Sequence, residues 1–256
     1  MSNSTDAQNG ESKASSKSAL SGKDGVCRIE VARIDWMVSQ PWQRTPQSRS
    51  SGTGFVIEGD RLLTNAHVVR SAVDIRVRQH GMTRRFPAKV VIYAPDVDLA
   101  LLEIIGEKEK IDFFTCQDET NEEETVDGNG DENGAKKKKR RRRSLALEFA
   151  DKLPSLQDSV HVIGFPTGGR TICVTEGVVS RIDLIQGSAF NQLLAIQVDS
   201  AINPGNSGGP AFIDGKVTGY VLIRDETIRK IRTRTRNKQT EAPIVMLCYA
   251  LYLFVR

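Results

Sequence analysis

Apolar residues recur along this chain in short runs punctuated by turns. From residue 52 the runs read GFVIEGDRLLTNA, AVDIRVRQHG, FPAKVVIYAP and DLALLEI. This is the spacing of successive hairpins in an antiparallel barrel. In AVDIRVRQ, Ile75 and Val77 alternate with Arg76 and Arg78, so one side of that strand is apolar and the other a solvated basic face. Upstream, VCRIEVARIDW sets Cys27, Ile29, Val31 and Arg33 against Val26, Arg28, Glu30, Ala32 and Ile34, which reads as an edge strand. A second set of strands resumes near Leu153 with SVHVIGFP, TICVTEGVVSRI and QLLAIQVDSAI. His161 falls on one face of its strand, as a structural residue. The pattern predicts an all-β fold of antiparallel hairpins in two sets.

The rhythm fails in three places. Residues 1–25 are rich in Ser, Lys and Gly with almost nothing to bury, and read as a disordered tail without an apolar secretory leader. Residues 107–144 hold an acidic run and then eight consecutive basic residues, Lys136 to Arg143, and read as a charged insertion between the barrels. The fragment DGNGDENG imitates the start of a calcium loop, but Glu132 stands where glycine is required and Lys138 where the last carboxylate belongs. Residues 220–256 form the third break, a basic stretch followed by twelve apolar residues, 244–255, too short to span a bilayer as a helix and about right for a buried strand or short helix. The expected division is therefore a tail at 1–25, a barrel domain at 26–219 and a divergent tail at 220–256.

Composition adds little to this picture. A length of 256 residues accommodates one large two-barrel domain, and polar insertions and tails account for the low apolar fraction of 39%. The formal charge of +4 is small for this length and does not by itself indicate a nucleic-acid partner. Four cysteines without paired spacing and only three histidines form no zinc framework, which favours free thiols in a reducing compartment. No metal or cofactor is expected.

The chemistry concentrates at residues 201–212, AINPGNSGGPAF. Ser207 is bracketed by Gly205, Gly208 and Gly209, which permit a sharp turn that aims consecutive amides at one point. A serine hydroxyl needs a base to become a nucleophile, and acyl transfer needs donors where negative charge develops. LLTNAHVV at 62–69 carries His67 at the end of an apolar run, and VDLALLEI at 97–104 carries Asp98 before another. GNSGG also satisfies the nucleophile-elbow pattern of α/β-hydrolases, but there the serine precedes the acid and the histidine. Here the order is histidine, acid, serine, and Pro210 follows the glycines.

In TNAHVV, DLALLEI and GNSGGP, the chain resembles the Deg/HtrA serine proteases, a branch of the chymotrypsin-like fold, and especially their plant-type members. The resemblance covers about residues 51–106 and 153–219. It implies a catalytic triad of His67 as general base, Asp98 as its orienting acid and Ser207 as nucleophile, with the amides of Gly205 and Ser207 as the oxyanion hole. The family frame sets the acid directly before LALL, so Asp98 is preferred to Asp96, a turn residue after Pro95. Family members make trimer contacts through their N-terminal segments. Trp36 and Trp42 are candidate anchors, although burial in the core is the commoner fate of such aromatics.

The resemblance ends near Tyr220, and no PDZ-like segment follows. A second barrel lacking its last strand would expose unpaired edges and leave the wall of the specificity pocket unfinished. Two function classes follow. The first is an ATP-independent serine endopeptidase acting on unfolded or damaged proteins through an acyl-enzyme; the second is a catalytically impaired protein that keeps the fold as a chaperone-like binding module. Nucleic-acid binding through the basic octet is a weaker third class, since no aromatics interleave with the cations. The octet also reads as a nuclear localisation signal or as filler, with chloroplast or mitochondrion as the alternative address.

Overall fold

The computed structural model describes residues 22–114, 145–169, 171–186, 192–222 and 244–247. The amino-terminal tail through residue 21, the basic octet and residues 223–243 lie outside the described residues. Six strands close the first barrel in the order β1 (Val26–Arg33), β4 (Ser48–Ile57), β5 (Arg61–Thr64), β8 (Leu99–Ile104), β7 (Phe86–Ala94) and β6 (Ala72–Gln79). A small hairpin of β2 (Trp36–Met37) and β3 (Gln40–Arg44) projects from it. The second barrel closes in the order β10 (Cys173–Gln186), β11 (Gln192–Asp199), β14 (Ile244–Leu247), β13 (Lys216–Leu222), β12 (Pro210–Ile213) and β9 (Ser159–Gly164). Every pairing between these strands is antiparallel.

Three apolar clusters follow from the alternation. Cys27, Ile29 and Val31 of β1 join Val56, Leu62, Val77, Phe86 and Leu102 inside the first barrel. Val160, Val162, Val179, Ile196, Val198 and Val221 fill the second. The third cluster lies between the barrels and draws on both: Phe55, Ile57 and Leu63 from one side, Ile163, Phe165 and Phe212 from the other. Phe55, Phe165 and Phe212 are fully buried there, and each such side chain contributes about 1.5–3 kcal/mol relative to exposure. This shared cluster joins the barrels and fixes the cleft between them.

Four sequence expectations are corrected. β1 is no edge strand: it pairs with β4 on one side and β6 on the other, because barrel closure supplies a second neighbour. The charged insertion begins later than residue 107. Residues Glu107–Phe114 form a helix, α2, after the one-turn helix α1 (Ala66–Val69), and Phe113 and Phe114 pack into the first barrel's cluster together with Leu145. Trp36 and Trp42 are not core residues; they stand 60% and 77% exposed on the β2–β3 hairpin, with the Arg44 guanidinium 4.5 Å above the Trp36 ring. Finally, the second barrel is not left open. Ile244–Leu247 pairs with β11 at Ala195–Gln197 and with β13 at Gly219–Leu222, so both strands gain the partner whose absence was expected.

Among the described residues no helix is long and apolar enough to cross a membrane.

Candidate active site

The apolar run of β5 buries Leu62, Leu63 and Thr64 and delivers the chain to Asn65, where extended backbone turns into α1. His67 stands in that single turn, with its side chain 43% exposed on the cleft. Opposite it, Asp98 sits at the mouth of β8 with a left-handed backbone, φ 51°, which aspartate tolerates better than most residues. Its amide donates to Pro95 O at 3.2 Å to close the turn.

Asp98 then holds the histidine turn at every polar atom it has left. Its carbonyl accepts from Ala66 N (3.1 Å) and from Asn65 Nδ2 (2.9 Å). Its carboxylate accepts the His67 amide at Oδ1 (2.8 Å) and faces His67 Nδ1 through Oδ2 at 2.6 Å. A carboxylate can only accept, so Nδ1 carries a proton, and in the neutral ring Nε2 holds the lone pair. Asp96 remains exposed in the preceding turn. Tyr220 adds a support from the second barrel: its hydroxyl donates to Val97 O at 2.7 Å, beside Asp98.

Ser207 sits in a loop held from several directions. Thr53 N donates to Ser207 O (2.9 Å), Gly208 N to Val221 O (2.9 Å) and Gly209 N to Asn206 O (2.9 Å). Gly205 and Gly208 have φ of 101° and 82°, and the space around them is already taken. A Cβ on Gly205 would fall 2.5 Å from Thr167 N, and one on Gly208 would fall 2.3 Å from Thr53 O. Among the described residues, the amides of Gly205 and Ser207 have no acceptor, whereas those of Asn206, Gly208 and Gly209 are each bonded to a carbonyl.

The loop and the histidine turn meet across Gly52, where an added Cβ would lie 2.7 Å from Val68 and 3.4 Å from Ser207 O. Among the described residues no hydrogen bond joins Ser207 to His67. His67 and Asp98 are thus directly paired, and Ser207 is packed beside their turn. His161 stands apart, buried in β9 with Nε2 3.9 Å from Glu176 Oε1. Among the described residues no three His, Cys, Asp or Glu side chains gather as a metal site would require.

Two residues of this region escaped the sequence reading. Thr53 lay inside the matching stretch SGTGF but carried no chemical signal. Tyr220 was taken as the point where the resemblance stopped, yet it braces the loop that carries Asp98.

The family described as "Trypsin-like peptidase domain" matches residues 52–219. Putative protease Do-like 3, mitochondrial, of Arabidopsis thaliana is 38% identical over 219 residues, spanning 79% of this chain and 34% of that protein. Protease Do-like 2, chloroplastic, of the same plant is 40% identical over 197 residues, spanning 75% of this chain and 27% of that protein. The chain therefore covers only about a third or less of these curated relatives. Among solved structures, the crystal structure of Deg5 superposes with a TM-score of 0.60 at 20% identity, covering 95% of this chain and 92% of that one, a likeness of fold.

Proposed function

We propose, from the premise that this chain belongs to the trypsin-like peptidase family and to its Deg/HtrA-type branch, that it is an ATP-independent serine endopeptidase of unfolded or damaged proteins. The observation that carries this reading is the pairing of His67 Nδ1 with Asp98 Oδ2 at 2.6 Å beside the Ser207 loop.

In the proposed reaction Ser207 Oγ attacks the scissile carbonyl carbon while His67 Nε2 takes the hydroxyl proton. The Asp98 carboxylate stabilises the imidazolium so formed and keeps the ring oriented. The carbonyl oxygen becomes an oxyanion and receives the N–H groups of Gly205 and Ser207. Collapse of the tetrahedral intermediate breaks the peptide bond, and His67 returns its proton to the leaving amine. Water, deprotonated by the same Nε2, then hydrolyses the acyl-enzyme. No cofactor enters this sequence.

The alternative of a catalytically impaired binding module rests on an open second barrel, and the pairing of β14 with β11 and β13 removes that ground. Homo-oligomerisation through the β2–β3 hairpin is part of the proposal: Trp36, Val38 and Trp42 are 60%, 96% and 77% exposed within one small hairpin. The mitochondrial and chloroplastic relatives favour an organellar address over the nucleus.

The test is labelling of the purified chain with a fluorophosphonate, which reacts rapidly only with a serine whose base is in place. Labelling lost in Ser207→Ala is the expected result. A folded chain that takes no label refutes the proposal.

A further inference from the structure

We infer that Thr53 is a positioning residue that sets the angle between the two oxyanion donors, a role that rests on the protease reading above. Thr53 lies on β4 of the first barrel and is fully buried. Its four hydrogen-bonding functions are all used, and three of them reach the second barrel. The hydroxyl donates to Gly205 O at 2.7 Å and accepts from Phe165 N at 2.9 Å. The amide donates to Ser207 O at 2.9 Å. The carbonyl accepts from Thr64 Oγ1 at 2.7 Å, three residues before His67.

The peptide geometry explains why these bonds matter. In a trans peptide the N–H points opposite to the C=O, so whatever holds a carbonyl also aims the amide behind it. The Gly205 amide belongs to the peptide whose carbonyl, Pro204 O, is held by Thr167 N at 2.6 Å. The Ser207 amide belongs to the peptide whose carbonyl, Asn206 O, is held by Gly209 N at 2.9 Å. Between them lies the Gly205–Asn206 peptide. Displacement of that middle peptide shifts the Gly205 and Asn206 Cα atoms from which the two donor peptides hang; Asn203 O holds its amide at 3.1 Å, and the Thr53 hydroxyl holds its carbonyl.

The same hydroxyl acts on the Gly205 donor by a second route. By accepting Phe165 N it anchors the start of the segment that carries Thr167, and Thr167 N in turn fixes Pro204 O. Glycine at 205 makes such an anchor necessary, because a left-handed glycine has a wide range of backbone angles open to it. The side-chain methyl lies over Gly209, 3.2 Å from where a Cβ there would stand. Threonine is thus distinguished from valine by the hydroxyl alone and from serine by the methyl alone.

The test compares Thr53→Val and Thr53→Ser in the full chain, with kcat and KM on a fluorogenic peptide, affinity for a peptide boronate and the melting temperature. The boronate forms a tetrahedral adduct on the serine and so reports the donors directly. Loss of one oxyanion donor costs about 100- to 1,000-fold in kcat, and misalignment is expected to cost roughly 10- to 100-fold in Thr53→Val. KM should stay within about twofold, boronate affinity should fall in step with kcat, and Thr53→Ser should remain within about threefold of wild type on all of these.

Unchanged kcat per folded molecule in Thr53→Val, with or without a lower melting temperature, overturns the role and leaves Thr53 a packing residue. Where Thr53→Val does not fold, Thr53→Ala carries the same comparison, and failure of both to fold overturns the proposal in favour of a folding role. A wild-type chain inert to fluorophosphonate overturns the protease reading and this role together. A reactive wild type beside an equally active Thr53→Val overturns this role alone.

Discussion

Replacing Asp98 by asparagine removes one charge and almost no volume, and its effect can be worked out atom by atom. The carboxylate receives two donors from one residue, the His67 amide at 2.8 Å and Nδ1 at 2.6 Å. Asparagine has only one acceptor oxygen. If that oxygen keeps the His67 amide, its NH2 faces Nδ1 and donates to it, so the ring proton moves to Nε2 and the base is lost. If the side chain turns over, NH2 meets the His67 amide, two donors with nothing between them. The first arrangement is the favourable one, and it leaves the imidazole in the wrong tautomer. In the best-studied serine protease triad this change costs about 10⁴ in kcat, roughly 5 kcal/mol of barrier. The same loss is expected here, with KM within about threefold. Stability should change by at most about 1 kcal/mol, because the pair is partly exposed and the two bonds to the Asp98 carbonyl survive. Steady-state kinetics on a fluorogenic peptide, with circular dichroism melting as the control, make the measurement. A folded Asp98→Asn enzyme within tenfold of wild-type kcat would refute the reasoning, since the acid would then not control the tautomer.

Three further outcomes are expected. Gly208→Ala should lose at least about 2 kcal/mol and most of its fluorophosphonate labelling, since left-handed backbone costs alanine roughly 1–2 kcal/mol before its Cβ meets Thr53 O; normal melting and labelling would contradict this. Phe212→Ala, which empties a fully buried site in the cluster shared by the two barrels, should cost about 3–5 kcal/mol in urea unfolding. The third concerns pH. Burial pushes the Cys27 thiol well above its ordinary range, so above about pH 8.5 the unfolded chain gives up a proton that the folded chain keeps. The unfolded state then binds fewer protons and stability falls with rising pH, by up to roughly 1.4 kcal/mol per pH unit. Cys27→Ala should lack that extra alkaline slope in urea midpoints taken from pH 7 to 10, whatever its stability at pH 7.

The sequence was most legible where one face of a strand was buried. Ile75 and Val77 came out buried and Arg76 exposed, with Arg78 half-buried, because the strand has a two-residue period and the barrel interior accepts only one parity. The pairing of His67 with Asp98 was foreshadowed by the resemblance of TNAHVV and DLALLEI to family motifs, since the apolar runs alone place each residue near a strand without saying that the two meet. Other features depend on partners remote in sequence. β1 looked like an edge because nothing in its own residues announces that β6 will close on it. The apolar run from Ile244 had the length of a buried strand or short helix, but nothing in it declares that four of its residues will fill the gap between β11 and β13. In EKEKIDFF the charged residues dominate the pattern, and only the last two side chains reveal a buried face. Thr53 carried no signal at all, because a hydroxyl between two glycines gains its meaning from Gly205 and Phe165, more than a hundred residues away.

The anchoring of Phe113, Phe114 and Leu145 in one cluster has a consequence for the residues that join them. Both ends of the connection, Phe114 and Leu145, are thus held by the first barrel. For a flexible connection between two such anchors, each doubling of length costs only about 0.6 kcal/mol. Genes can lengthen, shorten or rewrite residues 115–144 with little penalty to either barrel. A graft of unrelated sequence between the same two anchors is expected to leave the urea midpoint of the chain little changed.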